Sequence, residues 1–164
     1  EMKRKEPSEP IIRKEEYWTY VEPSTDYELP DEWDEHGGKL MVFGSEHQIV
    51  PLAERLSRYV SQGEIRSLKY APPLPPTFKS WALMVYCLDS ESNQVWKILQ
   101  REGVKRRIWK YDKQTEMDWS PGGRLHKKVY GEYDPEELED WCRKSGIPIE
   151  LARDMISLPI KKRK

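Results

Sequence analysis

Residues Trp81 to Leu88 (WALMVYCL) form the most apolar run in the chain, with no charged side chain among them. A run this short suits a strand better than a helix, and apolar side chains at alternate and intervening positions alike describe a strand covered on both faces. Such a strand belongs inside a sheet, and its flanks supply the partners. Lys39 to Phe43 (KLMVF), bounded by Gly37-Gly38 and Gly44, reads as another strand. Leu52, Leu56, Tyr59 and Val60 fall on one face of a helix over 47–61 that ends near Gly63. Ile65, Leu68 and Tyr70 make a short strand before the surface loop Pro72 to Pro76.

Beyond the apolar run, Asp89 or Ser90 caps a helix over 91–102 whose Val95, Ile98 and Leu99 share a face, and Gly103 ends it. Arg106 to Asp112 (RRIWKYD) alternates, with Trp109 and Tyr111 on one side of a strand and Ile108 and Lys110 on the other. The order is β-α-β-β-α-β. It predicts an α+β fold: a single curved, mostly antiparallel sheet with both helices on one face, because each crossover is right-handed.

Further along, Trp119-Ser120-Pro121-Gly122-Gly123 is turn-rich, and Leu125 to Tyr130 is expected to return as an edge strand. Asp134-Pro135-Glu136-Glu137 combines an N-cap, a first-position proline and early acids, a strong helix start, and a last short helix is expected around Glu150 to Ser157. The expected division is a disordered or loosely docked arm at 1–16, an α+β domain at 17–131, a C-terminal helical extension at 132–158 and a basic tail at 159–164.

The 164 residues suffice for one core, but 35% are charged, so parts of the chain must lie outside it. A formal net charge of −1 gives no global attraction to polyanions, and any such partner must be drawn by local asymmetry. That asymmetry exists. Residues 22–35 hold seven acids and no Lys or Arg, whereas residues 97–128 hold ten Lys or Arg against four acids. No apolar run is long enough to span a bilayer, which argues against a membrane partner, and Cys87 and Cys142 sit in element-like runs as buried thiols. An intracellular location, cytoplasmic or nuclear, is the expectation.

The basic stretch interleaves its cations with Trp96, Trp109, Tyr111 and Trp119, a mixture that neutralises phosphate and stacks a planar group. Arg107, Lys110, Lys113, Arg124 and Trp119 are expected ligand-binding residues, and Arg107, Lys110, Arg124 and Trp119 are expected to converge in one cleft with Lys69 at its floor or rim. The competing reading puts Trp109 or Tyr111 in the core and leaves the lysines to solvate an edge. The signatures of a P-loop, a dinucleotide-binding turn, a zinc protease and a nucleophile elbow are all missing, and three histidines with two separated cysteines make poor metal-site material. No cofactor or metal is expected, and no RNP1-like aromatic motif marks an ordinary RNA-recognition module.

Gly38 to Arg124, with "GKLMVF", "SLKYAPP", "WALMVYCLD" and "EGVKRRIWKYDKQT" in order, resembles the basophilic leukaemia-expressed protein family, whose archaeal relatives are labelled phosphothreonine lyases. The resemblance rests most on Gly38-Lys39, on Lys69 before a proline-rich loop, and on Lys110-Tyr111-Asp112 to Thr115. Leu40 stands where the family has an aromatic, and Tyr70-Ala71 where it has Val-Ser/Ala. The resemblance implies a fold similar to cap-binding translation initiation factor 4E, in which loop tryptophans clamp a base. Trp33, with Glu32 or Glu35 and across from Trp81 or Trp119, would be the analogous clamp. It also implies an alternative activity, a phosphothreonine lyase with Lys69 or Lys110 as base, His126 or His47 as acid, and Arg107 with Arg124 holding phosphate. The expected partner is a nucleotide or single-stranded RNA, or else a phosphorylated peptide, with a protein-interaction role as a further alternative.

Overall fold

The computed structural model describes residues 9–24, 28–73, 78–130 and 135–150. Two compact units divide after Tyr111, one of Glu1–Tyr111 and one of Asp112–Lys164.

The first unit is built on a six-stranded sheet. Strand β1 is Ile11–Lys14, β2 Thr19–Glu22, β3 Gly37–Gly44, β4 Ser67–Ala71, β5 Trp81–Leu88 and β6 Trp109–Tyr111. Their spatial order is β1-β2-β4-β5-β3-β6, and every neighbouring pair is antiparallel. The apolar run β5 therefore lies between β4 and β3, as its two-sided hydrophobicity requires. Helices α2 (Glu46–Ser61) and α3 (Ser92–Arg101) connect β3 to β4 and β5 to β6. This keeps the β-α-β-β-α-β order read from the sequence, and it is extended by a β1-β2 hairpin on the β4 side.

Both helices cover the same face. Ile49, Leu52, Ala53, Leu56 and Val60 of α2 and Val95, Ile98 and Leu99 of α3 share one core with Val21, Leu40, Leu68, Leu83, Val85 and Cys87 of the sheet. Each fully buried leucine there contributes about 1.5–3 kcal/mol of transfer free energy. Gln48 begins α2 by accepting the backbone N–H of Ser45 at 2.9 Å, and Gly63 and Gly103 follow the two helices in the left-handed region at φ +81° and +95°. A short helix, α1 (Trp33–His36), leads directly into β3.

Three expectations need correction. Ile11–Lys14, assigned to a disordered or loosely docked arm over 1–16, is an edge strand, because Ile12 pairs with Val21 while Arg13 pairs with Tyr20 and ion-pairs with Glu22 at 2.8 Å. The strand expected over 106–112 shrinks to Trp109–Tyr111, and Asp112 starts a helix. The edge strand expected at Leu125–Tyr130 is helical, since RLHKKVY lacks the alternation that a half-buried strand needs and consists largely of good helix formers.

In the second unit, α4 (Asp112–Trp119), α5 (Arg124–Tyr130) and α6 (Pro135–Ser145) follow one another. Met117 of α4 packs with Leu138 and Cys142 of α6, which joins segments on either side of the boundary expected at 131/132. The helix expected over 150–157, the tail at 159–164 and positions 74–76 of the proline loop lie outside the described residues.

Candidate functional site

Antiparallel register decides which side chains share a face, because directly paired residues point the same way. On the face opposite α2 and α3, one row across the sheet reads Lys110, Lys39, Tyr86, Ser67. The next row reads Met41, Met84, Lys69, Tyr20, Arg13. Basic and aromatic side chains thus adjoin one another, beside Ser67 and two methionines, on a face that takes no part in the helix-covered core.

The side chains gather around Tyr86. The Nζ atoms of Lys39 and Lys69 each lie 5.8 Å from its ring centroid, one reaching from β3 and the other from β4. Lys69 Nζ is also 4.2 Å from the Trp18 ring and 5.7 Å from that of Tyr20, so three aromatic rings surround one ammonium. Such contacts contribute about 0.5–2 kcal/mol each, depending on how dry the site is. Lys110 stands directly opposite Lys39 in the β3-β6 ladder. Lys39 is only 5% exposed.

Trp33 closes the other flank of Tyr86. Its ring is 6.4 Å from Tyr86 at 44°, and it lies so tightly on Gly37 that a Cβ there would come within 2.3 Å of the indole. Glycine at 37 is required by that approach. The last residue of α1, His36, is tied to the end of β5: its Nδ1 is 2.9 Å from Asp89 Oδ2, which also accepts the Tyr111 hydroxyl at 2.9 Å. These hydrogen bonds raise the pKa of His36 and lower that of Asp89. Asp89 thereby fastens α1, β5 and β6 together beside the Lys39 row.

The residues expected to form one cleft fall differently. Lys110 and Lys69 are on the sheet face just described. Arg107 is not: it donates to Asn93 Oδ1 at 2.8 Å and to Ser92 Oγ at 3.3 Å at the start of α3, on the helix side. Trp81, Trp96 and Trp109 pack against the core cluster, so Trp81 is not a partner across from Trp33. Glu32 and Glu35 are exposed, Glu35 lying 3.9 Å from His36 Nε2, and His47 is exposed in the first turn of α2.

The remaining candidates belong to the second unit. Lys113 is exposed on α4, and Trp119 ends that helix 38% exposed, where a turn-rich loop had been expected. Arg124 Nη2 lies 3.3 Å from Oδ2 of the buried Asp118, which also accepts from Gln114 at 2.9 Å. His126 Nδ1 accepts the Gly122 N–H at 3.4 Å. Arg124 is thus committed to a carboxylate, which weakens its standing as a phosphate clamp.

Sequence reasoning assigned no ligand role to Lys39, Tyr86 or Tyr20, and it noted Trp18 only as the companion of Trp33 flanking the acidic segment. The available signal was a lone lysine, Lys39, at the start of an apolar strand. Among the described residues no group of His, Cys, Asp and Glu could hold a metal ion, and no helix is long and apolar enough to cross a membrane. Comparison with protein-family models, with curated proteins and with solved structures returns no match.

Proposed function

We propose that this chain is a binding module for an anionic, nucleotide-like or RNA-phosphate ligand, and that the ligand lies on the sheet face opposite α2 and α3. The observation that carries this reading is the pair of ammonium groups, from Lys39 and Lys69, each 5.8 Å from the Tyr86 ring. Cations beside an aromatic ring suit a ligand that joins phosphate to a planar base: phosphate takes charge-assisted hydrogen bonds, and the base stacks for about 1–3 kcal/mol. Lys110 opposite Lys39 strengthens the field. The resemblance to the basophilic leukaemia-expressed proteins, and through them to the cap-binding fold, supports the same kind of ligand.

The lyase alternative is less well supported. An ammonium held against three ring faces works as a charge, while removing a proton from a phosphothreonine requires a free amine. Titration of the native protein with nucleotides and short single-stranded RNA, followed by tryptophan fluorescence, tests the proposal. Lys39→Met combined with Lys69→Met is expected to abolish the response, and native affinity is expected to fall steeply as salt rises. Unchanged affinity in that double variant, with its fold intact by circular dichroism, would reject the face as the site.

A further inference from the structure

We infer that a recess on the helix side of the sheet takes a small amphipathic organic anion, such as a medium-chain carboxylate, whose apolar body lies on the recess floor and whose negative group meets Lys97 and Arg101. The recess runs between α3 and the segment that follows α2, and it measures about 830 Å³, within the ~300–1,000 Å³ usual for small-ligand sites. Its floor is apolar: Cys87 of β5 and Val95 and Ile98 of α3 line it, and all three belong to the shared core. Cys87 and Tyr86 are successive residues of one strand, so they point to opposite faces, and the recess is separate from the site proposed above. Burial pushes the Cys87 thiol up to about 12, so it offers the recess an apolar surface. Gly63 stands at the mouth with φ +81°, and a Cβ there would meet nothing within 4 Å.

The walls are held by ion pairs complete within the fold. Arg66 lies against Glu91 at 2.7 and 3.1 Å, and Glu91 also accepts the Leu88 N–H at 2.9 Å. Past the end of α3, Glu102 accepts from Arg55 and from Tyr59, each at 3.0 Å, which ties this helix to α2. Lys97 and Arg101 differ from these. They line the recess one turn apart on α3, both are exposed, and neither has a hydrogen bond or ion pair among the described residues. Like charges four residues apart on a helix repel, and an anion between them removes that repulsion. Gln94, a turn before Lys97, adds an amide to the lining. Glu64 is the one lining acid outside the Arg66 pair, so two uncommitted cations face one such acid and the recess favours negative charge. A bare inorganic anion would gain only this rim, and an uncharged apolar molecule only the floor. A ligand that joins the two gains both.

The test titrates the full chain with anilinonaphthalene sulfonate, an anion on an aromatic body whose fluorescence rises when its rings leave water. Saturable binding at a single site is expected, with displacement by octanoate but not by octylammonium or inorganic phosphate. Lys97→Gln combined with Arg101→Gln, both at exposed positions, is expected to weaken the dye at least about tenfold with circular dichroism unchanged, while Arg101→Lys, which keeps the charge, retains most of the affinity. Lys39→Met with Lys69→Met is expected to leave dye affinity within about twofold of native, because those lysines lie on the other face of the sheet. No saturable binding, an unchanged affinity in the Lys97 and Arg101 double variant, or equal displacement by octylammonium and octanoate would overturn the inference. Loss of the dye in the Lys39 and Lys69 double variant would place it on the Tyr86 face and overturn the inference as well.

Discussion

Lys110 is paired with Lys39 in the β3-β6 ladder, in the row that also carries Tyr86. Lys110→Met is expected to weaken anion binding and to make its logarithmic salt slope shallower by nearly one, as read by titration at two salt concentrations. Unchanged affinity and slope would place Lys110 outside the site. The His36 and Asp89 pair gives a second prediction. The folded protein raises His36 above its ordinary 6.5, so its contribution is full below that value and is lost as pH rises through the raised one. Asp89 is lowered below 3.8, so its contribution is full above that value and is lost as pH falls through the lowered one. The stability difference between native protein and His36→Gln should then be greatest between pH 3.8 and 6.5 and shrink at higher pH, as read from denaturant midpoints. A difference that grew above neutrality would contradict the assignment of the interaction to protonated His36.

At the scale of the element, Leu56 of α2 shows what holds the helix layer to the sheet. It is fully buried in the shared core, and Leu56→Ala is expected to cost about 2–5 kcal/mol through lost transfer energy and a cavity. Thermal and denaturant unfolding would measure it, and a cost below about 1 kcal/mol would mean that α2 does not pack as described. The helical spacing that contains Leu56, and the continuous hydrophobicity of Trp81–Leu88, are local patterns, and both elements were legible in the sequence. What escaped was non-local. Ile11–Lys14 is a strand because β2 offers it an edge, and the same four residues contain no alternation strong enough to announce one. Lys39 could be seen as unusual in an apolar strand, but its neighbours Tyr86 and Lys110 come from register with two other strands. The basic stretch of 97–128 looked like one surface because its charges adjoin in sequence. Alternation about β6 and a turn of helix at Asp112 divide it instead among the helix side of the sheet, the opposite face and the second unit.

For the whole molecule, that division poses the question of which unit binds. Lys39, Lys69, Lys110, Tyr86, Trp18 and Trp33 all belong to the unit ending at Tyr111, where fifteen of the described residues form one buried core. Lys113, Trp119, Arg124 and His126 belong to the unit beginning at Asp112, where Met117, Leu138 and Cys142 form a separate cluster among the described residues. A core like that of the first unit is sufficient to fold by itself. A chain ending at Tyr111 is thus expected to unfold cooperatively and to keep its affinity for single-stranded RNA or a nucleotide within about twofold, since the residues proposed to hold the ligand all belong to it. In the full chain, Arg107→Ala with Arg124→Ala should likewise leave affinity nearly unchanged, because Arg107 faces Ser92 and Asn93 and Arg124 is bound to Asp118. If the shortened chain folds, judged by circular dichroism and a single thermal transition, yet no longer binds, the ligand needs Trp119 or the cations of the second unit. The sheet face would then be only part of the site.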